Sequence, residues 1–209
     1  MKKEEAIRIL ATCAAQYRSN LENKNLLYVF DDSGKTQFFE SLFLPRHYLH
    51  LTGVELLSVH IRSTDFYRLC LRSQLSPSAF KFHENGTTEL KLSVLPIIMN
   101  IHKTAKMVGE YDFTKSVLIT EKIVGTVTAC VGFVRDGNYY APNTILREDI
   151  RTVTLRPQKR IQAMFMKEIK DKLYSKCTYL ANGVSMDALL ASDELAAKLN
   201  SETCAELRH

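Results

Sequence analysis

The chain has 209 residues, of which 45% are hydrophobic and 24% charged, with a formal net charge of +5; that suffices for one domain with additions, or two small ones. It holds no run of 18 apolar residues, which excludes a membrane-spanning helix, and MKKEEAIRIL lacks the apolar stretch of a secretory leader. Cys13, Cys70, Cys130, Cys177 and Cys204 are odd in number, far apart and flanked by apolar residues, so reduced thiols in a cytosolic protein are expected rather than disulfides or zinc ligands.

Ala6, Ile9, Leu10, Cys13, Ala14, Tyr17 and Leu21 recur at helical spacing, which predicts a helix over about 4–22. LLYVF (26–30) and TQFFESLFL read as strands around the Asp31-Asp32-Ser33-Gly34 turn, and Pro45 ends the second. His50, in RHYLHLTGVE, then falls just beyond a sheet rim. Ser63 and Thr64 suit the start of a helix over about 65–74, and Ser76-Pro77 a turn. Asn85-Gly86-Thr87 introduces a long helical pattern through Leu90, Val94, Ile98, Ile101 and Ala105, which Pro96 kinks or divides and Gly109 closes. VLIT, VGTVTACVGFV and YY change to an alternating, β-branched pattern around Asp136-Gly137, the strongest hairpin signal in the chain. Arg151–Leu155 reads as a further strand, Pro157 as the first residue of a helix to about 176, and residues about 184–200 as a last helix.

Strands do not alternate with helices here. The fold expected is therefore α+β, with an N-terminal helix and further helices packed on a small antiparallel sheet. Residues 1–178 would form the main domain and 179–209 a C-terminal helical extension.

Charge is uneven. Residues 151–176 carry eight Lys/Arg against two Asp/Glu, and residues 177–209 carry two against five. On a helix from Pro157, Lys159, Arg160, Lys167 and Lys170 would share one narrow face opposite Ile161, Met164, Phe165 and Leu173. Such a face suits an anionic partner, or is simply solvated. The acidic stretch of about 184–206 would be able to cover it.

Motifs for nucleotide hydrolysis, dinucleotide binding, zinc proteolysis and α/β-hydrolase chemistry are missing. His47 and His50, three apart, lack a third ligand nearby, so no metal or other cofactor is expected. A histidine at a strand end with hydroxyls and cations suits metal-independent RNA cleavage, in which side chains move protons and cations stabilise a phosphorane. From the residues alone, a satisfied structural histidine is the plainer reading of His50.

The run "YRSNLENKNLLYVFDDSGKTQFFESLFLPRHYLHLTGV" resembles the fourth type of phage-associated barnase–EndoU–colicin–RelE-like nucleases. The similarity continues through "DFYRLCLRSQLS", "NGTTELKLSVL", "LITEKIVGTVTACVGF", "YYAPNTILREDIR" and "RPQKRIQAMFMKEIKDKLY". It implies a helix on a small antiparallel sheet, and ribonuclease activity in phage–host or toxin conflicts. It also implies RNA as a partner, and a potent ribonuclease toxin would need an immunity or inhibitor protein or tight control. The residues it marks are His50, Thr52, Lys91, Thr120, Lys122, Arg160 and Lys167. In that scheme His50 is the general acid or base, and Thr52 orients it or bonds the phosphate. Lys122 stabilises the transition state or is an exposed strand lysine, while Arg160 and Lys167 grip phosphates or belong to a solvated face. Lys91 reads as catalytic or as a helix-surface lysine. A catalytically inactive nucleic-acid- or protein-binding module on the same fold is the competing reading.

Overall fold

The computed structural model describes residues 1–115 and 118–200. Helix α1 (Lys3–Asn20) buries Ala6, Leu10, Cys13, Ala14 and Tyr17 along one stripe. Strands β1 (Lys24–Asp32) and β2 (Lys35–Phe43) form a hairpin closed by the pair Asp32↔Lys35. Ser33 and Gly34, both at positive φ, give the two-residue turn that suits strand twist. A 3₁₀ turn (Pro45–His47) leads into α2 (Tyr48–Thr52), which stops at Gly53. Strands β3 (Val54–Leu56) and β4 (Phe80–Phe82) pair apart from the main sheet, with α3 (Ser63–Leu71) between them. The long helical pattern divides into α4 (Thr87–Ile98) and α5 (Ile101–Thr104), three residues after Pro96 removes a donor.

The remainder overturns the small antiparallel sheet. Strands β5 (Met107–Glu110), β6 (Lys122–Gly125), β7 (Cys130–Asp136) and β8 (Tyr139–Leu146) form a meander. The segment expected as a basic helix is instead β9 (Lys159–Glu168). It pairs with β1 from Lys24↔Glu168 to Phe30↔Ile161, and with β5 at Met107↔Arg160 and Val108↔Lys159. The order β1-β2-β8-β7-β6-β5-β9, returning to β1, closes a seven-stranded barrel. Its β2–β8 seam is parallel, at Ser41↔Tyr140. Strand β10 (Lys176–Leu180) joins β9 beside the ring.

The misreading of β9 has a physical cause. Ile161, Met164 and Met166 face the barrel interior, while Ala163 and Phe165 face an outer layer, so both sides are apolar. A strand buried on both faces loses its alternation and reads as readily as a buried helix. Two smaller corrections follow from the same non-local packing. Gly109 lies inside β5, where a Cβ would come within 2.7 Å of Thr154, rather than closing a helix. Residues 151–155 hold the short helix α6 (Ile150–Val153), capped by the Asp149 side chain, and only Thr154 bridges to Tyr111.

The inward residues Tyr28, Phe39, Val124, Phe133, Ile145 and Met164 share one core with Leu10, Tyr17, Phe66 and Leu95 of the helices. Tyr28 stacks on Phe39 at 4.8 Å, and Phe133 meets each edge-on at 6.0 Å. Outside the barrel, Leu27, Val29 and Phe165 are covered by Met186 and Leu189 of α7 (Met186–Leu190) and Leu195 of α8 (Asp193–Ala196). The single helix expected over 184–200 is thus two short ones. Cys204 and the acidic residues beyond 200 lie outside the described residues. Cys13, Cys70 and Cys130 are buried free thiols, and Cys177 is partly buried.

Candidate active site

Gly53 sits at φ +67°, the left-handed conformation that ends α2 and turns the chain into β3. A Cβ there would lie 2.7 Å from Lys91 Cδ. The glycine therefore does two things: it stops the helix, and it lets the Lys91 side chain of α4 pass. Lys91 Nζ then donates to the His50 carbonyl at 3.1 Å. Thr88, one turn earlier on α4, donates its hydroxyl to the Gly53 carbonyl and accepts from the His83 N–H at 2.9 Å. HLTG and the start of α4 are fastened into one corner by these bonds.

Burial brings the Lys91 ammonium down to a pKa of about 8. Lys91 has no carboxylate partner among the described residues. His50 is exposed, but partial desolvation and then the Lys91 charge hold its pKa below the usual histidine value. At neutral pH the corner thus presents a neutral imidazole beside a cation that gives up its proton near pH 8. That pairing suits proton transfer combined with stabilisation of an anion.

The flanking residues hold this corner. Thr52 is fully buried; its hydroxyl donates to Leu49 O at 2.7 Å and accepts from the Val54 N–H at 3.3 Å. His47 is buried too, with Nδ1 accepting from the Leu44 N–H at 3.2 Å and burial lowering its pKa to about 4. Among the described residues no three His, Cys, Asp or Glu side chains gather as metal ligands.

Lys122 belongs to a different cluster, at one mouth of the barrel. Its Nζ meets Glu110 Oε1 at 2.6 Å and lies 5.7 Å from the Phe39 ring and 5.5 Å from the Tyr140 ring. Arg135 covers the Tyr140 ring at 5.6 Å. Lys159 is at the same mouth, 2.6 Å from Asp32 Oδ2 and 5.6 Å from the Phe30 ring. Thr120, buried, bonds Asn143 at 3.1 Å, and Asn143 in turn bonds the Ile119 carbonyl, tying the approach to β6 onto β8.

The other expected cations are scattered because β9 is extended. Arg160 bonds the Asn182 carbonyl and Lys167 the Lys172 carbonyl, both at 3.0 Å. They stand roughly 23 Å apart along the strand, and adjacent Lys159 and Arg160 point to opposite sides. Lys170 is exposed in the turn that follows. The resemblance marks His50 and Lys91 separately, and nothing local in the sequence ties them together. Arg135, beside Lys122, was missed because it resembles any hairpin-end cation.

The model of the family described as phage-Barnase-EndoU-ColicinE5/D-RelE like nuclease4 matches residues 9–183. No curated protein and no solved structure matches the chain.

Proposed function

This chain belongs to that fourth family of phage-associated, barnase–EndoU–colicin–RelE-like nucleases, and from that premise we propose that it cleaves RNA without a metal ion, at the His50–Lys91 corner. The observation that carries the reading is Lys91: a desolvated ammonium with no carboxylate partner among the described residues, bonded to the backbone of an exposed histidine.

Neutral His50 takes the proton of a ribose 2′-hydroxyl, whose oxygen attacks the adjacent phosphorus. Lys91 stabilises the extra negative charge of the phosphorane and gives its proton to the departing 5′-oxygen. The P–O5′ bond breaks, leaving a 2′,3′-cyclic phosphate and a 5′-hydroxyl. Thr52 and Gly53 position the corner; Thr120 and Lys122 brace β6 at the barrel mouth. Lys159, Arg160, Lys167 and Lys170 act as separate phosphate contacts around the barrel rather than as one face. On this proposal the protein works in the cytosol, in conflicts between a host and a phage or mobile element, and an inhibitor protein restrains it.

The test is cleavage of labelled RNA in EDTA by the wild type and by His50→Ala, both shown folded by circular dichroism. The expected result is wild-type cleavage leaving cyclic phosphate ends, reduced about 10²–10⁴-fold in the variant. Cleavage unchanged in His50→Ala would remove the imidazole from the reaction. No cleavage of any RNA class by either protein would leave a binding module.

A further inference from the structure

At the barrel end opposite Lys122 and Lys159 lies a pocket of about 200 Å³. It is built from the end of α1, the start of β1, α5, the end of β9 and the start of β10. Lys24, Lys167 and Lys176 line it together with His102, Glu168 and Asp171. We propose that this pocket binds a phosphate group, held by Lys24 and Lys176 against the His102 imidazole. The proposal goes beyond the nuclease reading and uses none of its phosphate-contacting ammonium groups.

His102 is the first support. The residue is only 8% exposed, and its Nδ1 has no hydrogen-bond partner among the described residues. An unsatisfied buried polar atom is costly, so a group that engages this imidazole stabilises the fold as well as itself. The pocket is roomy enough for a tetrahedral anion with part of its hydration, since one water occupies about 30 Å³.

The charges point the same way. Lys122, Lys159 and Lys198 each sit 2.6 Å from a carboxylate oxygen. The three pocket lysines form no such ion pair among the described residues. Lys24 bonds the Ser19 carbonyl, while Lys167 bonds the Lys172 carbonyl and lies 4.8 Å from the Tyr174 ring. The Lys167 ammonium is thereby turned toward Tyr174, outside the pocket, which leaves Lys24 and Lys176 facing it. Burial and then the charges of Lys103, Lys176 and Lys24 hold the His102 pKa near 4. The imidazole is therefore neutral, keeps one N–H to donate, and stands in a positive potential.

Histidine side-chain ¹⁵N–¹H spectra of the full chain test this, with inorganic phosphate added first. A 5′-phosphorylated 2′-O-methyl dinucleotide, which lacks the attacking hydroxyl, is added in a second series. A saturable shift of the His102 signals is expected, weakened roughly tenfold in Lys176→Gln and in Lys24→Gln. A response to inorganic phosphate assigns the pocket to the free anion, and a response to the dinucleotide alone assigns it to a phosphate carried on a nucleic-acid strand. The proposal is overturned if neither probe gives a saturable shift, if chloride at equal ionic strength reproduces it, or if both lysine variants bind as the wild type does. His50→Ala should keep the full response, which separates failure of this pocket from failure of the cleavage reading.

Discussion

Two lysines of the same chain face opposite electrostatic circumstances. Lys122 at the barrel mouth is matched by Glu110 at 2.6 Å and covered by aromatic rings. Lys91 at the α2–α4 corner has burial without a counter-ion, and its pKa falls to about 8. A paired cation has its field cancelled before any substrate arrives. A desolvated and unpaired one carries a stored cost that an anionic transition state relieves. Residue type alone marks both positions equally; the partner decides which is poised for chemistry.

Replacing each lysine breaks this comparison most directly. Lys91→Met should lower the RNA cleavage rate about 10²–10³-fold, whereas Lys122→Met should leave it within about threefold and cost no more than about 1 kcal/mol in urea unfolding. Equal losses in the two variants would erase the distinction. The pH–rate profile sharpens it. The rate should rise as His50 deprotonates, with a pKa below 6.5, and fall as Lys91 deprotonates near 8. Lys91→Arg keeps a cation that does not titrate in this range, so its profile should lose the alkaline limb.

A smaller effect separates geometry from charge. Gly53 and Gly86 both lie at positive φ, but a Cβ would meet Lys91 only at Gly53 and nothing within 4 Å at Gly86. Gly86→Ala should cost about 1 kcal/mol, from the backbone term alone, and leave cleavage intact. Gly53→Ala should cost more in the same unfolding experiment and depress cleavage, because it displaces Lys91 from the His50 carbonyl. If both alanines cost the same and cleave alike, the passage beneath Gly53 has no role.

The parts of this arrangement that were legible in the sequence are those set by neighbours along the chain. The helix expected over 4–22 is found at Lys3–Asn20, and the turns at Ser33-Gly34 and Gly137 join the strands that flank them. Barrel closure was not legible, because it depends on Phe30 meeting Ile161 across more than half the chain. The same holds for the candidate site. His50 and Lys91 each attract attention separately, but their contact arises from how α4 crosses the end of α2. The expected basic face failed for a related reason: helical phase was assigned to Lys159, Arg160 and Lys167 in a segment whose long-range partners make it a strand.

The least costly comparison is between the pH responses of the two regions. Asp32 is held below the usual aspartate pKa, chiefly by its hydrogen bond from Lys159. Its contribution to stability is therefore complete above about pH 3.8, the unfolded value, and is lost as pH falls through the lower folded value. Lys91 behaves in the opposite sense. Between about pH 8 and 10.5 the unfolded chain holds a proton that the folded Lys91 has released, so stability rises with pH over that interval. Urea midpoints measured across pH for the wild type, Lys159→Met and Lys91→Met resolve these two contributions. Lys159→Met should flatten only the acid side, with the smaller midpoint change, because Asp32 and Lys159 are both solvated. Lys91→Met should flatten only the alkaline rise. If Lys159→Met gave the larger midpoint change of the two, the mouth would be the desolvated region and the corner the solvated one, reversing the contrast on which the assignment of Lys91 rests.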